Sequence, residues 1–296
     1  MALIALKVDV DTLRGTQEGV PRLLRLFDRL AIQATFLFSV GPDHTGWALR
    51  RVLRPGFLSK VARTSVLTHY GLRTLTYGVL LPAPDIGRRA ATVMKGVLSA
   101  GHECGLHSWD HVRWQDNVRW RNPDWTARQM RLGFDRFREI FGAPPATHGA
   151  AGWQMNDAAL SQIDAWNMAY ASDSRGTGPF FPLVAGRVLK HAQLPTTLPT
   201  FDELIGREGI DQDNVARALS ARTMSGADQV FTLHAELEGG LFSRPFEALL
   251  GDWRSQGHEL GSLGQLYRRL DLSRLPTAAP AWGQVAGRSG QLIVAA

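Results

Sequence analysis

LIALKVDVD, residues 3–11, decides how the rest of the chain is read. Its first eight residues are rich in Leu, Ile and Val and free of Gly and Pro, which in so short a run marks a buried strand. The segments that follow alternate in kind. GVPRLLRLFDRLA (19–31) has the spacing of an amphipathic helix, with a proline near its start where a missing N–H costs nothing. QATFLFSV (33–40) is a second strand, DIGRRAATVMKGVLSAG (85–101) a helix opened by an acid and closed by glycine. ECGLHSW (103–109) is a third strand and DWTARQMRLGFDRFREIFG (124–142) another glycine-closed helix. Strand signals return in ATHGAAG, MAYASDS, VLKHAQLP and QVFTLHAEL, with helical stretches such as NDAALSQIDAW and FEALLGDWRSQG between them. Alternation of this sort predicts an α/β fold with parallel strands and crossover helices. One domain is the economical reading of 296 residues. Residues 271–296 lack helical periodicity and are expected to be an irregular tail on the domain of residues 1–270.

Composition excludes several classes. Hydrophobic residues at 44% and charged residues at 20% describe a folded chain, not a disordered one. The single cysteine, Cys104, forms no intrachain disulfide, so nothing demands an oxidising compartment. MALIALKVDVD meets an acid at position 9, too soon for a secretory signal, and no apolar run reaches the ~18 residues of a spanning helix. The cytoplasm is the expected location.

The net charge of +6 is unevenly spread. No acidic residue lies between Asp43 and Asp85, a segment that carries Arg50, Arg51, Arg54, Lys60, Arg63 and Arg73 among apolar residues at helical spacing. That combination suits a helix lying in the plane of an anionic membrane surface, where each cation contributes about 1 kcal/mol. Basic helices packed on the domain with a solvated charged side are the alternative. No nucleic-acid motif accompanies the arginines.

Three strand ends carry ionisable residues. In VDVD, Asp9 and Asp11 are two apart and share one face of the strand, unless one of them merely caps a turn. In GLHSWDH, His107 ends a strand and His111 follows one turn later; by spacing alone they are two ligands of one ion or two unrelated loop residues. His102 falls on the opposite parity to His107. In QVFTLHAEL, His234 ends an apolar strand on the parity of Val230 and Thr232, a place a satisfied polar residue also takes. Parallel α/β folds gather ligands at the carboxyl ends of their strands, so the three ends belong to one rim. Taken jointly they divide the labour of a metal-assisted amide or ester hydrolysis. Asp11, His107 and His111 hold an open metal site, Asp9 is the base, and His234 is the acid for the leaving amine. Zinc, cobalt, manganese and nickel all suit the set.

VDVD, HSWDH and FTLH resemble motifs of the polysaccharide deacetylase family, carbohydrate esterase family 4 or the NodB-homology fold. The resemblance implies an incomplete (β/α)7-type barrel with an Asp-His-His metal site, here carrying a basic helical insertion at about 44–84. Longer runs, among them DVDTLRGTQEGVPRLL, FLFSVGPDHTG, SDSRG and LPTTLPTFDELIGR, resemble members that deformylate an amino-sugar carried on undecaprenyl phosphate. By that resemblance the substrate is a lipid-linked sugar, and the protein is peripheral at the cytoplasmic face of the inner membrane. The insertion then seats on anionic lipid or guides the phosphate. The loop Ala151–Trp153 is implied to offer backbone N–H groups to an oxyanion. The family's arginine beside the base is missing from AAGW, and Arg175 is the candidate replacement. Asp173 is expected to orient His234, and Glu236 and Glu238 to approach the sugar amine. Cys104 is expected to be strand packing. A deacetylase of peptidoglycan or another N-acylated sugar, and an inactive sugar-binding module at the membrane surface, are the alternatives.

Overall fold

The computed structural model describes residues 1–48 and 71–295. Arg50, Arg51, Arg54, Lys60 and Arg63, the heart of the basic segment, lie outside the described residues.

Among the described residues eight strands form the main sheet: β1 (Leu3–Val10), β2 (Thr35–Ser39), β3 (Glu103–Ser108), β4 (Thr147–His148), β5 (Tyr170–Ala171), β6 (Ala192–Gln193), β7 (Gln229–His234) and β8 (Glu259–Gly261). All pairs are parallel, in the order β8-β1-β2-β3-β4-β5-β6, with β7 on β1. The short β8 touches only Leu3–Ala5 at the lower end of β1. Beyond β6 the chain turns back onto β7, where the N–H groups of Thr197 and Leu198 both donate to the Val230 carbonyl at 3.1 Å. Seven strands thus curl into an incomplete barrel whose last seam is closed by an irregular stretch.

Alternation along β1 separates the two sides of that barrel. Ile4, Leu6, Val8 and Val10 join Phe36, Phe38, Leu106 and Leu233 in the main core under the helices. The odd positions face the barrel interior. There Leu3 and Ala5 pack with Val230 and Leu194, and Lys7, Asp9 and Asp11 follow above them. The interior therefore turns from apolar to ionisable toward the carboxyl ends. Cys104 belongs to the outer core, and burial, then the neighbouring Glu103, pushes its thiol up to about 12, which keeps it inert. His102 also points outward, where its Nδ1 accepts the Ala34 N–H beside Phe27 and Phe36.

The helices form where caps and buried stripes coincide. Val20–Arg29 carries Pro21 in its first turn and buries Val20, Leu23, Leu26 and Phe27. Ile86–Ser99 is capped by Asp85, whose carboxylate accepts from Arg88 N at 2.9 Å, and buries Ile86, Ala90, Met94 and Val97. Pro123–Phe141 starts one residue earlier than its sequence suggests, because Asn122 is the cap that accepts Trp125 N. Gly142, at φ 76°, ends it. Among the described residues no helix is long and apolar enough to cross a membrane.

The expectation of an irregular tail needs correction. Pro280–Gln284 and Gln291–Ala295 pair as an antiparallel hairpin, with Trp282 opposite Ile293. Arg175 extends it, donating its N–H to Ile293 O and accepting from Ala295 N, both at 2.9 Å. The strands are short, half-exposed and interrupted by AGRSG, so their period of two was easily lost beside the longer helical patterns.

Candidate active site

Asp11, His107 and His111 converge at the carboxyl end of the barrel, their ligating atoms within 4.8 Å of one another. Asp11 Oδ1 lies 3.2 Å from His107 Nε2, and Asp11 Oδ2 lies 3.3 Å from His111 Nε2. The two rings stack with centroids 5.3 Å apart. His107 Nδ1 lies 2.6 Å from the Gly149 carbonyl. A carbonyl only accepts, so Nδ1 carries the proton and Nε2 presents its lone pair to Asp11. Asp11 Oδ1 and His107 Nε2 are both buried with no hydrogen-bond partner among the described residues. Two bare lone pairs facing each other at that distance need a cation between them, and one carboxylate with two imidazoles fits a divalent metal with positions left open. A proton competes for the same place. Burial alone would raise Asp11, but His111 and His107 hold its carboxyl below the usual carboxylate range. Burial likewise disfavours imidazolium at His107, and the Asp9 and Asp11 carboxylates overcome that and raise its pKa.

Asp9 lies one step below on the same face, opposite His234 in the register of β1 and β7. Its Oδ2 pairs with Lys7 Nζ at 3.5 Å, while Oδ1 is buried without a hydrogen-bond partner among the described residues, 3.9 Å from His107 Nδ1. Lys7 is fully buried, donates to the Ser172 carbonyl at 2.9 Å and lies 5.3 Å over the Trp153 ring. Sequence reasoning missed this lysine. The signal lies in LIALKVDVD itself, since positions 7, 9 and 11 share one parity.

Two glutamates brace the rim from the loop after β7. Glu236 Oε1 accepts the N–H groups of Asp11 (3.1 Å) and Thr12 (2.9 Å) and the Thr12 hydroxyl (2.8 Å). Burial, then the Asp11 charge, pushes Glu236 up to about 8. Glu238 Oε2 accepts His234 N at 2.7 Å, and burial again pushes that carboxyl up to about 8. Both acids hold backbone that carries candidate site residues, a task distinct from the expected approach to the sugar amine. His234 itself is half-buried, its Nδ1 buried and without a hydrogen-bond partner among the described residues.

Other expected roles need correction. Asp173 does not reach for His234: its Oδ1 holds His148 Nδ1 at 2.6 Å and its Oδ2 accepts from Gln193 Nε2 at 2.8 Å. Arg175 does not reach for Asp9: it donates to Glu203 Oε1 at 2.6 Å and to Leu198 O at 3.0 Å. The cation against Asp9 comes instead from its own strand, as Lys7. Trp153 is buried with its backbone at φ 54°, and its N–H donates to Ala150 O at 3.0 Å, so that N–H is already engaged. Its indole N–H reaches Thr196 Oγ1 at 3.1 Å, and its ring lies under Arg175 and Arg288 as well as Lys7.

No protein-family model matches the chain. It is 39% identical over 247 residues to a curated relative from Shewanella sediminis (strain HAW-EB3), covering 83% of this chain and 80% of that one. A second relative, from Wigglesworthia glossinidia brevipalpis, is 32% identical over 278 residues, covering 93% and 96%. Both are named as 4-deoxy-4-formamido-L-arabinose-phosphoundecaprenol deformylases. Among solved structures, a Mycobacterium smegmatis protein named for a polysaccharide deacetylase superposes with a TM-score of 0.65 over 96% of this chain and 95% of its own. Its 15% identity speaks for the fold alone. The barrel with its carboxyl-end rim and the identity to these relatives lead to one assignment: the chain is an amide hydrolase that belongs to the 4-deoxy-4-formamido-L-arabinose-phosphoundecaprenol deformylase family, on the polysaccharide deacetylase fold.

Proposed function

We propose that this protein removes formate from 4-deoxy-4-formamido-L-arabinose linked to undecaprenyl phosphate, a step toward aminoarabinose modification of lipid A and polymyxin resistance. The observation that carries the reading is the asymmetric Asp9 carboxylate. One of its oxygens is paired with Lys7 and the other is bare, beside a donor triad fit for a divalent ion.

Asp11, His107 and His111 would hold that ion, which supplies Lewis acidity toward the formyl oxygen and the attacking water. Asp9 accepts a proton from the water as the water adds to the formyl carbon. His234, set across the strand pair from Asp9, donates a proton to the sugar nitrogen as the C–N bond breaks. Formate and a free amine leave. Each of these proton transfers is worth typically about 10²–10⁴-fold in rate. Zinc, cobalt, manganese and nickel remain equivalent on donor chemistry.

The basic segment gives the lipid carrier a place to dock. Arg50, Arg51, Arg54, Lys60 and Arg63 are suited to an anionic inner-membrane surface and to the substrate's phosphodiester, which makes the protein peripheral at the cytoplasmic face. Flotation with anionic liposomes tests this part: removing the five cations should release the protein, and equal flotation would sink the idea. The catalytic reading is tested by mass spectrometry of the lipid-linked sugar after incubation with metal-loaded protein. Loss of the formyl group is expected; a substrate left intact while an N-acetyl sugar is cleaved would reassign the enzyme.

A further inference from the structure

We infer that Lys7 is a positioning residue for Asp9: its buried ammonium takes one carboxylate oxygen and fixes the other toward the reacting water. The inference rests on the deformylase reading, which gives Asp9 its task.

Lys7 is 0% exposed, and a buried ammonium without compensation is costly. Three separate parts of the barrel meet the cost. The Ser172 carbonyl, just past β5, accepts from Nζ at 2.9 Å, Asp9 Oδ2 lies 3.5 Å away on β1, and the Trp153 ring lies 5.3 Å beneath. The neighbouring wall leaves room for the chain, since a Cβ added to Gly149 would stand 3.1 Å from Lys7 Cε. Other cations at that wall are committed elsewhere. Arg175 and Arg288, which share the Trp153 ring, both donate to Glu203. Among the described residues Lys7 is the lysine or arginine that pairs with Asp9.

A lysine that only filled the barrel would be expected to accompany a fully satisfied partner. Asp9 is not satisfied: among the described residues nothing hydrogen-bonds its buried Oδ1, an arrangement that costs free energy unless a reactant meets it. The ion pair holds the carboxylate from the side away from that oxygen. Ser172 in turn fixes the ammonium, so the base is oriented through a chain running from β5 to β1.

Lys7→Met and Lys7→Gln in the full-length, metal-loaded enzyme test the inference, with kcat and KM for deformylation of the lipid-linked sugar and metal content as readouts. Gln keeps a donor for Ser172 O and loses the charge. Both variants should lower kcat at least about 30-fold, leave KM within about threefold and retain the metal of the wild type. In an Asp9→Asn background, Lys7→Met should cost less than about threefold more, because its effect is spent through Asp9. A variant with kcat within threefold of wild type, a change in KM alone, or an equal further loss in the Asp9→Asn background would overturn the role. Variants that misfold or lose metal would assign Lys7 to the scaffold and overturn it as well. If the wild-type enzyme leaves the formyl group in place, the deformylase reading is what fails; with that activity present, an unchanged variant removes only the role of Lys7.

Discussion

The Gly149 carbonyl lies 2.6 Å from His107 Nδ1, and this contact decides which nitrogen of the imidazole faces Asp11. Orientation of a ligand by a backbone acceptor fixes its tautomer and raises its basicity. The same lone pair is then open to a metal ion or to a proton. Because the Asp9 and Asp11 carboxylates raise the pKa of His107, protons compete above the ordinary histidine range. Titrating the apoprotein with cobalt should therefore release protons, and affinity should climb as pH rises from about 6 to 8. A calorimetric affinity flat across that range would contradict the shared site.

Asp9 and His111 should separate chemistry from metal binding. Asp9→Asn is expected to keep the metal and lose about 10²–10⁴-fold in kcat. His111→Ala is expected to lose the metal first. Elemental analysis beside turnover would check it; metal lost from Asp9→Asn would mean Asp9 is itself a ligand.

Glu238 makes the stability of the apoprotein depend on pH. In the folded chain it keeps its proton up to about 8, against an ordinary value of 4.5. Between those values the folded state binds a proton that the unfolded state has released. The contribution is thus fully present below pH 4.5 and is lost as pH rises through 8, by up to about 1.4 kcal/mol per pH unit. Glu238→Gln should flatten that part of the urea-unfolding profile between pH 5 and 8. An unchanged slope would place the titration elsewhere.

Two glycines should respond oppositely to alanine. A Cβ on Gly15 would come 1.9 Å from Glu236 Oε1 and displace the carboxyl that holds the Asp11 and Thr12 N–H groups. Gly15→Ala should destabilise the fold by about 1–3 kcal/mol and weaken metal binding. Gly96 sits within the helix Ile86–Ser99 with open space where its Cβ would be. Gly96→Ala should stabilise by about 0.5–1 kcal/mol. Paired denaturation curves decide both.

Much of the candidate site was legible because parity survives along long strands. β1 and β7 run for eight and six residues, enough for Asp9, Asp11 and His234 to be placed on a face. β5 has two residues, so nothing in the pattern said which way Asp173, two positions later, would point. Arg175 was beyond reach for another reason: its partners are Glu203 and the hairpin near Ile293, contacts set by tertiary folding alone. Lys7 stood in a run already expected to be buried, but its partners Ser172 and Trp153 come from distant parts of the chain and are set by tertiary folding alone.

The hairpin of residues 280–295 has a consequence for how the enzyme is made. Strands β1 to β7, with Asp11, His107 and His111 at the ends of two of them, all precede it in the chain. Arg288, which covers the Trp153 ring and binds Glu203 and Asp202, is synthesised long after His234. A chain halted short of it would carry Asp11, His107 and His111 while Trp153, Glu203 and Asp202 still lacked one cationic partner.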